Sequence, residues 1–186
     1  MVLWSDLRGW LAEVEKIGEL VKIEEPTDWN EEISGITYLV GKIKSGPALL
    51  FDNIKGYPKG HRVLSNILGS SLNRIALALG LPLNMSELDM IRMTKDIYKN
   101  KLPPKIVSDE VAPVNENVVT GDAIDITIFP ALKMWHHDGG RYIGTGDVII
   151  TKDPENGNYN LGTYRQMIIN KKQVGFYVSP GKDALL

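Results

Sequence analysis

Residues 135–165 read WHHDGGRYIGTGDVIITKDPENGNYNLGTYR, and the reading of this stretch decides what the second half of the chain becomes. Asp153-Pro-Glu-Asn-Gly157 has the composition of a tight hairpin turn. The flanks, Gly146–Ile150 and Tyr159–Arg165, carry the β-branched and alternating residues of strands. On a regular strand Asn160, Gly162 and Tyr164 face one way, and Leu161, Thr163 and Arg165 the other. Asn160 and Arg165 then serve one ligand only if it wraps the strand end or if Gly162 bulges the strand. An amide oxygen suits a hard cation, and a guanidinium pairs with phosphate or carboxylate. A turn asparagine and a surface arginine explain the same residues without any ligand.

The stretch also holds two of the three histidines and six of the eighteen glycines. Read as strand residues, His136 and His137 point to opposite faces and do not chelate one ion together. The remaining histidine, His61, is far away in sequence, so a two-histidine zinc site is not expected. Gly139-Gly140 and Gly144-x-Gly146 allow close approach of backbone to a ligand, or simply form turns and bulges.

Working toward the N-terminus, the texture changes from short β-rich runs to alternating helices and strands. Leu7, Trp10, Leu11, Val14 and Ile17 recur at helical spacing, with Ser5 placed to cap and Gly18 to close. Residues 19–23 alternate as a strand, and Glu31–Lys44 fits a helix begun by Asp28 or Asn30. Ala48–Phe51 reads as a short buried strand and Arg62–Leu68 as another. Ser71 caps a helix over Leu72–Leu79 that ends at Gly80, and Ser86–Asn100 is a further helix. Gly69-Ser70-Ser71 lies between strand and helix, but no GxGxxG or lysine motif accompanies it, and a capped connection suffices.

Beyond Pro104 the β-rich runs are Ile106-Val107, Val118-Val119, Ile124–Ile128, Gly146–Ile150 and Gln166–Ile169. The chain is therefore expected to be α+β: an N-terminal α/β domain over 1–104, a linker at about 105–116, and the start of a β-barrel over 117–186. Four or five strands rarely close a barrel alone, so further polypeptide is expected to complete it.

Composition narrows the function classes. The 186 residues contain no cysteine, which removes disulfides, thiolate nucleophiles and Cys-ligated metals. Net charge is −2 with the signs interspersed, so neither nucleic acid nor anionic lipid is an expected partner. No signal peptide or membrane span is visible, and a cytoplasmic protein is expected.

Taken together, P-x4-WHHDGGRYIGTGDVIITKDPENGNYNLGTYRQ resembles the UbiD-type decarboxylases: an acidic residue before Gly-Gly-x-Tyr-Ile, a DPETG-like turn, and N-x-G-x-Y-R. The segments DLRGWLAEVEKIGELVKI and NRIALALGL are similar to that family's first domain, so the resemblance spans nearly the whole chain. It implies a reversible carboxy-lyase acting on an aromatic or α,β-unsaturated acid and releasing CO2. It also implies prenylated FMN in a split β-barrel, a divalent metal such as Mn2+, possibly K+ at the phosphate, and a homo-oligomer or partner subunit. By position, Asn160 falls on a metal ligand. Thr163, Tyr164 and Arg165 fall on flavin contacts, and Arg165 also on the arginine paired with the catalytic carboxylates. Tyr177, Val178, Ser179, Lys182 and Asp183 fall on a second flavin-contacting segment.

The family's histidine ligand would lie near Gly181, where this chain has none, and its ligand glutamate and catalytic acids would lie past Leu186. The expectation is thus an N-terminal portion of such an enzyme. The alternatives are a non-catalytic scaffolding subunit, or a plain flavin reductase, against which the N-terminal α/β domain argues.

Overall fold

The computed structural model describes residues 4–99 and 105–181. The chain forms two compact units interleaved in sequence: residues 1–23, 37–51 and 64–123 in one, and 24–36, 52–63 and 124–186 in the other.

The first unit opens with helix α1, Leu7–Lys16, which buries Trp10 and Val14. Its cap is Asp6, one residue later than the sequence suggests: the carboxylate accepts from Gly9 N at 2.7 Å. Asp and Ser cap about equally well, so the position of the first helical turn decides between them. Strand β1, Leu20–Ile23, pairs in parallel with β2, Ala48–Phe51, with Leu20 opposite Ala48 and Ile23 opposite Phe51. A third strand, β3 at Val63–Ser65, completes the order β1-β2-β3. All four residues of β2 are buried, as a central parallel strand covered on both faces requires. Helix α2 runs Glu32–Gly41, α3 Leu72–Leu79 and α4 Glu87–Lys99.

Helix α3 follows its sequence closely. Ser71 accepts from Arg74 N, and Gly80 closes the helix in the left-handed conformation at φ 67°. Trp10, Val14, Ala48 and Leu77 form one buried cluster, and Ala76, Leu81 and Met90 another. Behind them lies Arg74, fully buried, whose Nη1 donates to Glu19 at 2.9 Å, Nη2 to Gly46 O at 2.6 Å and Nε to Ile67 O at 2.9 Å. Burial pulls its pKa down and Glu19 pushes it back up. The same Glu19 carboxylate accepts from Ser71 Oγ at 2.5 Å, so the residue just before β1 is tied both to α3 and to its cap.

In the second unit, β4 at Tyr142–Gly144, β7 at Gln166–Asn170 and β8 at Gln173–Phe176 form an antiparallel sheet in the order β4-β7-β8. Strands β5, Ile149–Lys152, and β6, Tyr159–Gly162, form a separate hairpin. Its turn is the Asp153–Gly157 sequence, closed by Gly157 N to Asp153 O at 2.9 Å.

Four expectations fail here for local reasons. Ile106-Val107 and Val118-Val119 are not strands; β-branched residues favour a pleated surface only when a partner strand offers one. Ile126–Ile128 is a 3-10 turn, because Asp125 accepts from both Thr127 N at 3.0 Å and Thr127 Oγ1 at 2.5 Å. That carboxylate also meets Lys171 at 2.9 Å, and the Thr127 hydroxyl above all holds its pKa down at about 2. The strand expected through Arg165 stops at Gly162. His136 and His137 lie in a turn, not a strand, with their rings edge to face at 5.0 Å. Among the described residues, no helix is long and apolar enough to cross a membrane.

Candidate functional site

The sequence-expected site residues lie where the hairpin hands the chain to the three-stranded sheet. Residues 163–165 form a three-residue connection between β6 and the central strand β7. The two residues leading into β7 reach different neighbouring strands. Tyr164 packs edge to face on Phe176 of β8, ring centroids 5.5 Å apart. Arg165 turns toward β4, its guanidinium 3.6 Å above the centroid of Tyr142. The ring of Tyr164 fills the space a side chain at Gly162 would need, which explains the glycine.

Arg165 also meets Asp138. Nη1 donates to Oδ1 at 3.1 Å and Nη2 to Oδ2 at 2.5 Å, an end-on bidentate pair. The Asp138 side chain is only 10% exposed, whereas that of Arg165 is 37% exposed. Asp138 is fixed by its own turn: Oδ2 accepts from Met134 N at 3.2 Å and Trp135 N at 3.0 Å, while Asp138 N donates to Trp135 O at 3.0 Å. The Arg165 hydrogen bond first, and these amides with it, hold the carboxyl below the usual carboxylate range.

The segment before the turn is anchored as firmly. Lys133 N donates to Trp29 O and Glu31 N to Lys133 O, and Ser34 Oγ donates to Met134 O at 2.7 Å. Lys133 Nζ reaches Glu31 at 3.0 Å and holds that carboxyl low, with His136 adding to the effect from 3.6 Å. Glu31 adopts φ 67°, a conformation non-glycine residues rarely take, here fixed by those two strand-like bonds. Arg141 lies over Trp29 at 4.3 Å and donates to Ala131 O at 2.8 Å and to Tyr57 Oη.

Of the other sequence-expected residues, Asn160 is half-buried, opposite Thr151 in the hairpin, with Nδ2 at 3.4 Å from Thr151 Oγ1. Thr163 is exposed. Tyr177, Val178 and Ser179 follow β8 directly; Tyr177 and Ser179 are exposed and Val178 is half-buried. Phe176 therefore brings Tyr164 next to this second segment. Lys182 and Asp183 lie outside the described residues. Among the described residues, no three His, Cys, Asp or Glu side chains gather as a metal site.

Sequence reading passes over Asp138 and Tyr142 as partners of Arg165. Both were visible inside the quoted stretch, Asp138 as the acid of the DGG segment. Their role was not, because it depends on β4 pairing with β7 across more than twenty residues.

Comparison with known proteins covers both halves of the chain. Residues 11–92 match the 3-octaprenyl-4-hydroxybenzoate carboxy-lyase (UbiD) N-terminal domain, and residues 105–185 match the Rift-related domain of the same family. A phenolic acid decarboxylase of Sedimentibacter hydroxybenzoicus is 34% identical over 179 residues, covering 93% of this chain and 36% of that protein. The closed form of vanillic acid decarboxylase from the same organism superposes with a TM-score of 0.87 at 32% identity, over 98% of this chain and 39% of that one. An evolved dimeric form of the UbiD-class enzyme HmfF from Pelotomaculum thermopropionicum, in complex with prFMN, gives a TM-score of 0.79 at 27% identity, over 94% and 38%. The chain thus spans less than two fifths of the length of these relatives.

Proposed function

The chain belongs to the UbiD carboxy-lyase family, and from that premise we propose that the protein carrying it decarboxylates an aromatic or α,β-unsaturated carboxylic acid with prenylated FMN. The observation that carries this reading is Arg165. Among the described residues it is a partly exposed guanidinium paired with Asp138 through Nη1 and Nη2 and with its Nε–H uncommitted, at the position where the family resemblance places the arginine of the reaction. In this reading 1–104 is the α/β domain, about 105–116 the linker, and 117–186 the start of the flavin-binding split barrel. The two family matches part at residues 93–104, just ahead of that linker, and the second match begins at residue 105 and includes it.

The donor set suits a phosphate-bearing flavin. Thr163 and Ser179 offer exposed hydroxyls, and Tyr164 and Tyr177 flat aromatic surface. Lys182 and Asp183 join them by the family resemblance. Bound there, the prenylated flavin supplies the electron sink that cleavage of a carbon–carboxylate bond needs and that ordinary side chains lack. Arg165 binds and orients the carboxylate to be lost. No acid for reprotonating the product carbon is assigned within these residues.

The described residues do not by themselves fit the metal. Asn160 offers one neutral amide oxygen and no ligand cluster stands beside it. A divalent cation such as Mn2+, or K+ at a flavin phosphate, would draw its other ligands from elsewhere. The outward face of the hairpin supports completion by further polypeptide, from its own chain, another copy or a partner subunit: Val148, Ile150, Tyr159 and Leu161 are apolar and more than half exposed.

The test is to produce the intact protein with a source of prenylated FMN, record its flavin absorbance, and measure CO2 release from phenolic and acrylic acids. Flavin retention with turnover of one class is expected. No flavin and no turnover would overturn the proposal. Gly181 at the family's histidine position favours a second reading, a non-catalytic subunit, which predicts an unchanged rate in the assembled complex after Arg165→Ala.

A further inference from the structure

We propose that Asp138 is the positioning residue of Arg165, holding the guanidinium end-on so that its side-on edge is presented to the carboxylate of the substrate. This deepens the decarboxylase reading above and rests on it. A guanidinium has five N–H donors in one plane. Asp138 takes one from Nη1 and one from Nη2. The Nε–H and the outer N–H beside it form the other bidentate edge, and among the described residues Arg165 makes no further hydrogen bond.

Two restraints make that edge directional. Tyr142 beneath the guanidinium, 3.6 Å away, fixes the plane. Asp138 fixes rotation within that plane, because both its oxygens are engaged. Asp138 is itself immobilised by the two amides of its turn, and the next two residues bind the turn to β7. Side chains at Gly139 or Gly140 would come within 3.4 and 3.2 Å of Met167 Sδ, two residues beyond Arg165. An exposed arginine without such restraints samples many rotamers and gives up that entropy on every binding event. Here the cost is met on folding.

A simple structural ion pair is the competing explanation, and it makes different predictions. Asp138→Asn is nearly isosteric and still accepts from Met134 N and Trp135 N, but loses the second charge-assisted contact to Arg165. With the intact protein and no flavin, binding of benzoate is measured by calorimetry, with benzamide as the uncharged control.

Positioning predicts that wild type prefers benzoate, that Asp138→Asn weakens benzoate binding about tenfold, and that benzamide binding is unchanged. It also predicts no further effect of Asp138→Asn in an Arg165→Ala background, since the aspartate acts only through the arginine. In the flavin-loaded protein, Asp138→Asn should raise KM for the acid more than it lowers kcat.

Three results would overturn the inference: equal binding of benzoate and benzamide by wild type, tighter benzoate binding in Asp138→Asn, or an equal loss with and without Arg165. The last would mark a purely structural role, and the second a competitor for the guanidinium. If wild type binds benzoate as predicted but the flavin-loaded protein releases no CO2 from any acid, the decarboxylase reading fails and the positioning role stands.

Discussion

Arg74 and Arg165 are both paired with a carboxylate, yet they do opposite things. Arg74 has no exposure, and Glu19, Gly46 O and Ile67 O together engage all three of its nitrogens. Arg165 is 37% exposed, commits one edge to Asp138 and one face to Tyr142, and among the described residues keeps its other edge uncommitted. A buried guanidinium with a hydrogen bond on each of its three nitrogens is part of the core. One that is held rigidly but left with donors over is built to bind something. The pair of residues alone does not separate these cases; the count of satisfied donors does.

The contrast can be broken experimentally. The largest effect is expected at Arg74: Arg74→Met strips Glu19 of its counter-charge and removes a donor from each of two carbonyls, and should cost about 3–5 kcal/mol in urea unfolding. Ser71→Ala removes the α3 cap and a second donor to Glu19, and should cost about 1–2 kcal/mol in the same assay. Arg165→Ala leaves the 10%-exposed Asp138 without its counter-charge but with both turn amides still donating to it, and should cost about 1 kcal/mol. A loss at Arg165 as large as that at Arg74 would erase the distinction.

The smallest effect concerns pH. The folded pKa of Asp125 is depressed from 3.8 to about 2, so its contribution to stability is fully present above 3.8 and fades as pH falls toward 2. Wild type should therefore exceed Asp125→Asn in thermal stability at neutral pH, and the two melting curves should converge between pH 4 and 2. A gap that stays constant over that range would show that the Thr127 and Lys171 contacts do not set the titration.

Much of the first unit was legible because its signals are local. The Ser71 cap, the α3 spacing and Gly80 all act within one helix, and Ala48–Phe51 announces burial by being wholly apolar. The second unit was less so. The Asp153–Gly157 turn was readable, since turn chemistry is contained in five residues. Strand β4, β8 and the 3-10 turn at Ile126–Ile128 were not, because each depends on a partner distant in sequence or on a side-chain bond that competes with the ladder. The same limit applied at the site. Arg165 was singled out from its motif, but the aspartate that orients it lies 27 residues away and became visible only through the sheet.

The most direct test compares wild type with Arg165→Ala in the intact, flavin-loaded protein, measuring CO2 release from the best acid substrate alongside the unfolding midpoint. Loss of the carboxylate anchor should lower kcat/KM by about a hundredfold or more while the midpoint falls far less than in Arg74→Met. An unchanged rate would contradict the central claim and assign Arg165, with its ordered donors, to the scaffold.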